Sequence, residues 1–215
     1  MAEQPSTTRR SGGEEDWTVL AILGPSGVGK SIAAQSIALA RACTWVQVDD
    51  LRLALQASAA IPNDRLSFFD RAPDIWNRSV DELCAAISGI AHLMAPAVRI
   101  VIDSHIATNV PMVIEGDGIL PALALDPVLR HHVHAGRLRF CCVVPDTVGE
   151  LLDNMDARGR GIDQLTSGER VKQAEMNIAF SRWLTAACMR CSVPVVHSRP
   201  FSTLSHRIIS AIERS

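Results

Sequence analysis

Residues 24–31, "GPSGVGKS", place three glycines, a lysine and a serine in the order that binding a phosphate chain requires. Backbone N–H groups can curl around phosphate oxygens only where the crowded or strained positions carry no Cβ. Gly24, Gly27 and Gly29 supply such positions. The pattern G-x-x-x-x-G-K-[ST] is met by Gly24, Gly29, Lys30 and Ser31. A helix beginning here would aim its free N–H groups and positive dipole end at the same anion. Lys30 adds a compact cation for the outer phosphates, in a chain whose only other lysine is Lys172. The Ser31 hydroxyl is a ligand for Mg2+ that bridges those phosphates. The expectation is an ATP and Mg2+ site formed by Gly24, Ser26, Gly27, Val28, Gly29, Lys30, Ser31 and Ile32.

Acids and arginines follow in an order that suits phosphoryl transfer. Asp49, read as the end of a second strand, can accept a proton from an attacking hydroxyl or hold a metal-bound water. That edge of an open α/β sheet is where ligands bind. "DDLRLAL" also reads as a capped helix start, with Asp50 as the cap. Arg52, one turn on, either pairs with an anionic substrate or is an ordinary exposed helix residue. Glu115, before Gly116, ends a third strand beside the phosphate loop, where it contacts metal-bound water or the acceptor, or caps "DGILPAL". In "DARGRGIDQLTSGER", Arg158 and Arg160 alternate with Gly159 and Gly161. This is the composition of a hinged lid, over about 157–168, whose cations neutralise charge developing during transfer; a solvated basic loop is the alternative. "HSRPFSTL" offers Arg199 and Phe201 as a loop against the base. The assigned roles are therefore Lys30, Asp49, Arg158 and Arg160 in catalysis, Asp49, Arg52 and Glu115 toward the acceptor, and Ser31 and Asp49 toward the metal.

Strands are expected at 17–23, 44–48, 111–116, 138–146 and 193–198, alternating with helices at 29–42, 50–58, 79–94, 147–157, 167–190 and 203–213. Pro96 is expected to start a separate segment that ends at Asn109–Val110–Pro111, and 61–76 reads as a loop with turns. "VRIVID", 98–103, fits either a strand ending in Asp103 or a helix, and the choice moves the third strand's acid between Asp103 and Glu115. Alternating strands and helices imply an α/β, three-layer P-loop NTPase/kinase-like fold: a five-stranded parallel sheet, covered on both faces, with a helical lid.

At 215 residues, 47% apolar and net charge −2, the chain suits one domain over 17–215 preceded by a disordered polar tail at 1–16. The charge gives no argument for nucleic acid, no stretch reads as a bilayer span or signal peptide, and no feature sets an oligomeric state. Cys43, Cys84, Cys141, Cys142, Cys188 and Cys191 are scattered and mostly apolar in context, as in a cytoplasmic protein. "CMRC" lacks a second pair to complete a zinc site, and His131, His132 and His134 read as a solvated helix end. No guanine-reading N/T-K-x-D motif is present.

Over about residues 17–200 the chain resembles the small P-loop kinases related to 2-phosphoglycerate kinase. The likeness rests on "GPSGVGKS", on "VQVDDLRLAL", on "PMVIEGDGILPAL" and on "SVPVV". It implies ATP- and Mg2+-dependent phosphorylation of a small hydroxyl- or phosphate-bearing metabolite. Gly27, Gly29, Lys30 and Ser31 would lie on ATP, Asp49 and Arg52 beside the acceptor, and Glu115 at the strand end. The resemblance also makes 98–108 helical and Glu115, rather than Asp103, the strand-end acid. Two features depart from it. "GDG" stands where Gly-Val-His is common, so Asp117 sits awkwardly for an anionic acceptor, and 60–78 does not align. A phosphoglycerate, a sugar or nucleoside, or a secondary metabolite are the acceptors in view. The alternative is a nucleotide-binding regulatory or toxin-like module without such activity.

Overall fold

Three near-continuous apolar runs, "VLAIL", "MVIEG" and "LRFCCVV", form the middle of one parallel sheet, where both faces of a strand are covered. The computed structural model describes residues 17–58, 64–71, 74–158 and 165–215. Within them the strands are β1 (Val19–Leu23), β2 (Thr44–Gln47), β3 (Met112–Gly116), β4 (Leu138–Val144) and β5 (Val195–His197), in the order β2-β3-β1-β4-β5. All pairings are parallel, and Leu23 at the end of β1 lies beside Gly116 of β3 and Cys142 of β4. From β1 the chain runs out to β2, returns through β3, then continues on the far side through β4 and β5. That reversal opens a crevice at the carboxyl ends of the central strands, the usual ligand position in such sheets.

The helices are α1 (Lys30–Arg41), α2 (Val48–Ala57), α3 (Phe68–Arg71), α4 (Val80–Ala107), α5 (Arg130–His134), α6 (Val148–Arg158), α7 (Ser167–Arg190) and α8 (Leu204–Glu213). Alternate strand residues enter separate cores, as a two-residue period dictates. Val19, Ala21, Leu23, Met112 and Ile114 pack with Met94, Val98 and Ile102 of α4 and Phe180 and Leu184 of α7. Leu20, Ile22, Val113, Cys141 and Val143 pack with Ala34 and Ile37 of α1 and Ile208 and Ile212 of α8. Both long helices of the first layer start with a reciprocal capping box, Ser79 with Glu82 and Thr166 with Glu169. Cys141, Cys142 and Cys188 are small core residues, and burial pushes the Cys141 thiol up to about 12.

Several sequence expectations change. Pro96 does not begin a new segment: α4 runs unbroken through it for 28 residues, so 98–107 is helical. Proline removes one hydrogen bond, to the carbonyl of His92, yet both residues lie on the exposed side. The buried stripe of Met94 and Val98 continues past them. The same helix corrects the reading that no stretch matches a bilayer span, since an 18-residue window within it has a mean hydropathy of 1.7. Here Leu83, Ile87, Met94, Val98, Ile102 and Ile106 of that helix are buried in the protein's own core.

The segment read as loop also holds structure: α3 and a 3-10 turn at Ile75–Asn77 bury Leu66 and Ile75, and Phe68 meets Phe69 edge-on at 5.1 Å. The second strand ends at Gln47, not Val48, and α2 begins at once. Gln47 occupies the cap position and no side chain caps the helix, so Asp50 is not an N-cap. Asp49 and Asp50 both lie in the first turn of α2. The cause is Val48, which is 2% exposed. A Cβ on Gly116 or Gly118 would lie 2.7 or 2.9 Å from its side chain, so the "GDG" glycines leave the hollow that Val48 fills.

Candidate functional site

The loop between β1 and α1 has the backbone that its glycines permit. Gly24, Gly27 and Gly29 have φ of 143°, 85° and 83°, a region that disfavours side chains. A Cβ on Gly24 would stand 2.1 Å from the carbonyl oxygen of Val143, and one on Gly29 2.8 Å from the ring of Phe201. Among the described residues, the backbone N–H groups of residues 27–32 donate to no protein acceptor. The amides on either side are engaged, Ser26 with Asn177 Oδ1 at 3.2 Å and Ala33 with Gly29 O at 3.1 Å. Six successive free donors at a helix start, with no side-chain cap, make an anion cradle.

Lys30 is 7% exposed, and its Nζ donates to the carbonyl of Pro25 at 2.7 Å, which folds the ammonium back over the loop. The Ser31 hydroxyl donates to Glu115 Oε1 at 2.7 Å. Glu115 is 4% exposed, one residue before the end of β3, where it lies beside Ile22 of β1. Burial pushes its carboxyl above the ordinary range. The charge of Lys30 and the Ser31 hydrogen bond pull it down, and Asp49 and Asp117 push it up.

These groups face a cleft of about 420 Å3 whose walls include residues 26–32, Gln47, Asp49, Glu115, Gly116, Asp117, Asn154, Ala157 and Phe201. The donor set fits a magnesium–triphosphate: a cradle of free amides, one ammonium, and a hydroxyl joined to a buried carboxylate. Asp49 stands at the rim with its side chain 61% exposed. Asp117 lies half-buried between the two glycines that admit Val48. Its carboxyl is pushed up by burial and by Asp49, against the pull of Lys30 and Arg52. A larger cavity, about 660 Å3, opens at the other end of β4 beside His134, Arg139 and Val193, with no Asp or Glu among the described residues of its wall.

Not every expected residue reaches the cleft. Arg52 is held by Asp70 at 2.8 Å, by the carbonyl of Leu66 at 3.4 Å and by Asp49 at 3.6 Å, and it is not part of the cleft wall. Burial would lower its guanidinium, but the hydrogen bond and charge of Asp70, then Asp49 and Asp117, outweigh that and raise it. Gly24 is not part of the cleft wall and lies against the backbone of Val143. Arg158 ends α6, and its side chain, with residues 159–164 of the expected lid, among them Gly159, Arg160 and Gly161, lies outside the described residues. So does the expected tail at 1–16. Arg78 sits over the Phe68 ring at 5.1 Å, away from the cleft wall. Phe201 does line the cleft, with the Arg199 guanidinium 4.3 Å above its ring.

Two buried asparagines were not anticipated. Asn154 Nδ2 donates to the carbonyl of Gly27 at 2.9 Å, and Asn154 Oδ1 accepts from Arg199. Asn177 accepts from Ser26 N–H and donates to the carbonyl of Gln173 at 3.0 Å. The available signal was polarity in the wrong place: Asn177 interrupts the apolar side of α7 between Met176 and Phe180.

No family model matches the chain, and no curated protein matches it. Solved structures do. An uncharacterized protein from Eubacterium ventriosum ATCC 27560 is 12% identical, over 93% of this chain and 100% of that one, with a TM-score of 0.50. A gluconokinase from Sinorhizobium meliloti 1021 is 16% identical over 91% of each chain, with a TM-score of 0.46. Shikimate kinase from Acinetobacter baumannii, in complex with shikimate, is 11% identical over 93% of this chain and 95% of that one, at 0.48. At these identities the likeness is one of fold: an α/β fold with a five-stranded parallel sheet.

Proposed function

We propose that the protein is an ATP- and Mg2+-dependent phosphotransferase that acts on a hydroxyl group of a small acceptor. The observation that carries this reading is the run of unengaged amides at residues 27–32, facing the same cleft as Lys30, the Ser31–Glu115 pair and two further carboxylates. A cradle for phosphates and an exposed acid that line the same cleft suit transfer from a bound nucleotide to an acceptor. The amides of residues 27–32 and Lys30 would bind and orient the phosphate chain, while Ser31, Glu115 and Asp49 are the side chains that would hold Mg2+ there, directly or through water. Bound Mg2+ supplies charge neutralisation across the outer phosphates. Asp49 takes the proton as the acceptor oxygen bonds to the γ-phosphorus and the bond to the β–γ bridging oxygen breaks. Arg158 and Arg160 are assigned to the closing lid, and Phe201 with Arg199 to the base.

The acceptor end is acidic. Asp49, Glu115 and Asp117 line it, and the nearby Arg52 is occupied by Asp70 and Asp49. This favours a neutral or cationic hydroxyl compound, such as a sugar, nucleoside or amino-bearing secondary metabolite, over a phosphoglycerate. Six cysteines without a disulfide suit a reducing compartment and support a cytoplasmic setting.

ADP release measured across a panel of metabolites tests the reading. One or more acceptors should stimulate release, and Asp49→Asn should lower that turnover about 1,000-fold while Mg·ADP still binds. Unchanged turnover in the variant would remove Asp49 from the chemistry. Nucleotide binding with no acceptor-dependent release would instead favour a regulatory nucleotide-binding module.

A further inference from the structure

We infer that Asn154 and Asn177 are positioning residues that set which amides of the phosphate loop face the anion. This inference rests on the reading of that loop as a nucleotide site. Asn177 is fully buried on α7 and Asn154 is 6% exposed on α6, so each amide group must find partners within the protein. Each does so at both ends. Asn177 gives its N–H to Gln173 O, which leaves Oδ1 to accept from Ser26 N–H. Asn154 gives its N–H to Gly27 O, and its oxygen accepts from Arg199. Neither amide can be turned over without losing both bonds.

The two contacts fall at one point in the loop. Ser26 N–H is the last engaged amide before the free run, and Gly27 O belongs to the first residue of that run. Holding Ser26 N–H toward α7 and Gly27 O toward α6 fixes the peptide planes between them, so that the next amides turn to the cleft. The loop's own side-chain bonds, Lys30 Nζ to Pro25 O and Ser31 Oγ to Glu115, do not reach Ser26 N–H or Gly27 O. Those two groups are held by Asn177 and Asn154. Their helices are also the two that flank residues 159–164, where the arginine-bearing lid is expected. Asn154 further joins the loop to Arg199 and, through its ring contact, to Phe201 on the cleft wall. The phosphate loop and the Arg199–Phe201 side of the cleft therefore meet at Asn154.

Calorimetric titration of the full chain with Mg·ADP and with Mg·pyrophosphate tests this. It is done well below each variant's unfolding temperature, so that loss of stability does not enter the reading. Asn177→Ala should weaken both ligands about tenfold, the effect of one lost buried hydrogen bond on loop order, and Asn154→Ala should do the same. Ser181→Ala removes another buried polar side chain from the same face of α7 without a contact to the loop. It should leave both affinities unchanged. Affinities within twofold of the parent in Asn177→Ala and Asn154→Ala would overturn the inference while the nucleotide site stands. A loss for Mg·ADP but not for Mg·pyrophosphate would overturn it too, by moving the effect to the base. If Asn177→Ala does not fold, Asn154→Ala decides alone. A parent chain that binds neither ligand removes the nucleotide reading itself, and this inference with it.

Discussion

Replacing Gly24 with alanine strikes the root of the phosphate loop, and comparison with Gly27→Ala separates two causes of damage. Both residues have positive φ, 143° and 85°, so either alanine carries backbone strain of about 1–3 kcal/mol. The surroundings differ. At Gly27 the new methyl would meet only a side-chain carbon of Leu151, at an ordinary 3.4 Å. At Gly24 it would lie 2.1 Å from the Val143 carbonyl oxygen and 3.1 Å from its carbon. That carbonyl belongs to β4, paired on both sides and buried, so it cannot retreat without shifting the sheet centre. Gly24→Ala should therefore cost roughly 4 kcal/mol or more, against about 1–2 kcal/mol for Gly27→Ala. For a domain of this size 1 kcal/mol corresponds to about 2–4 °C in Tm. Thermal unfolding followed by circular dichroism should show Gly24→Ala roughly 10 °C below the parent and Gly27→Ala about half as far or less. Equal or inverted losses would refute the close approach of Gly24 to β4, and with it the path that turns the following amides into the cleft.

Two more outcomes are expected. Burial raises the Glu115 carboxyl above its ordinary value in the fold, so the native state holds that proton more tightly than the unfolded chain. Stability from this group is therefore greatest below the unfolded value and is lost as pH rises through the folded one. Glu115→Gln keeps an acceptor for Ser31, and in urea titrations its stability should gain on the parent through that interval and hold the gain above it; parallel pH profiles would contradict this. Asp117→Asn removes one like charge from the acceptor end. It should raise turnover of anionic relative to neutral hydroxyl compounds about tenfold, as for a partly screened unit charge. An unchanged ratio would mean that Asp117 does not face the acceptor.

Much of the frame was legible because it follows from periodicity. The "VLAIL" and "LRFCCVV" runs are strands buried on both faces, and "GPSGVGKS" between a strand and a helix admits few conformations. The rest depended on what packs against what. Pro96 is a helix breaker by local chemistry, yet its unpaired carbonyl partner faces outward while Met94 and Val98 keep the helix on the core. Asp49 moved from strand end into helix because Val48 needed the hollow left by Gly116 and Gly118, a pairing across 68 residues that no local pattern signals. Arg52 looked like a substrate clamp and is spent on Asp70, a residue in the stretch that could not be aligned. Asn154 and Asn177 were invisible as loop ligands because each acts from a helix more than a hundred residues away.

The central claim is that the amides of residues 27–32 and the Lys30 ammonium grip a magnesium nucleotide. Calorimetric titration of the parent and of Lys30→Ala with Mg·ATP tests it most directly. The parent should bind one equivalent, more weakly when the metal is chelated, and Lys30→Ala should stay folded but bind about 10- to 100-fold more weakly, the loss of one charge-assisted contact. A folded parent that gives no heat with Mg·ATP, or a Lys30→Ala variant that binds as well as the parent, would contradict the account.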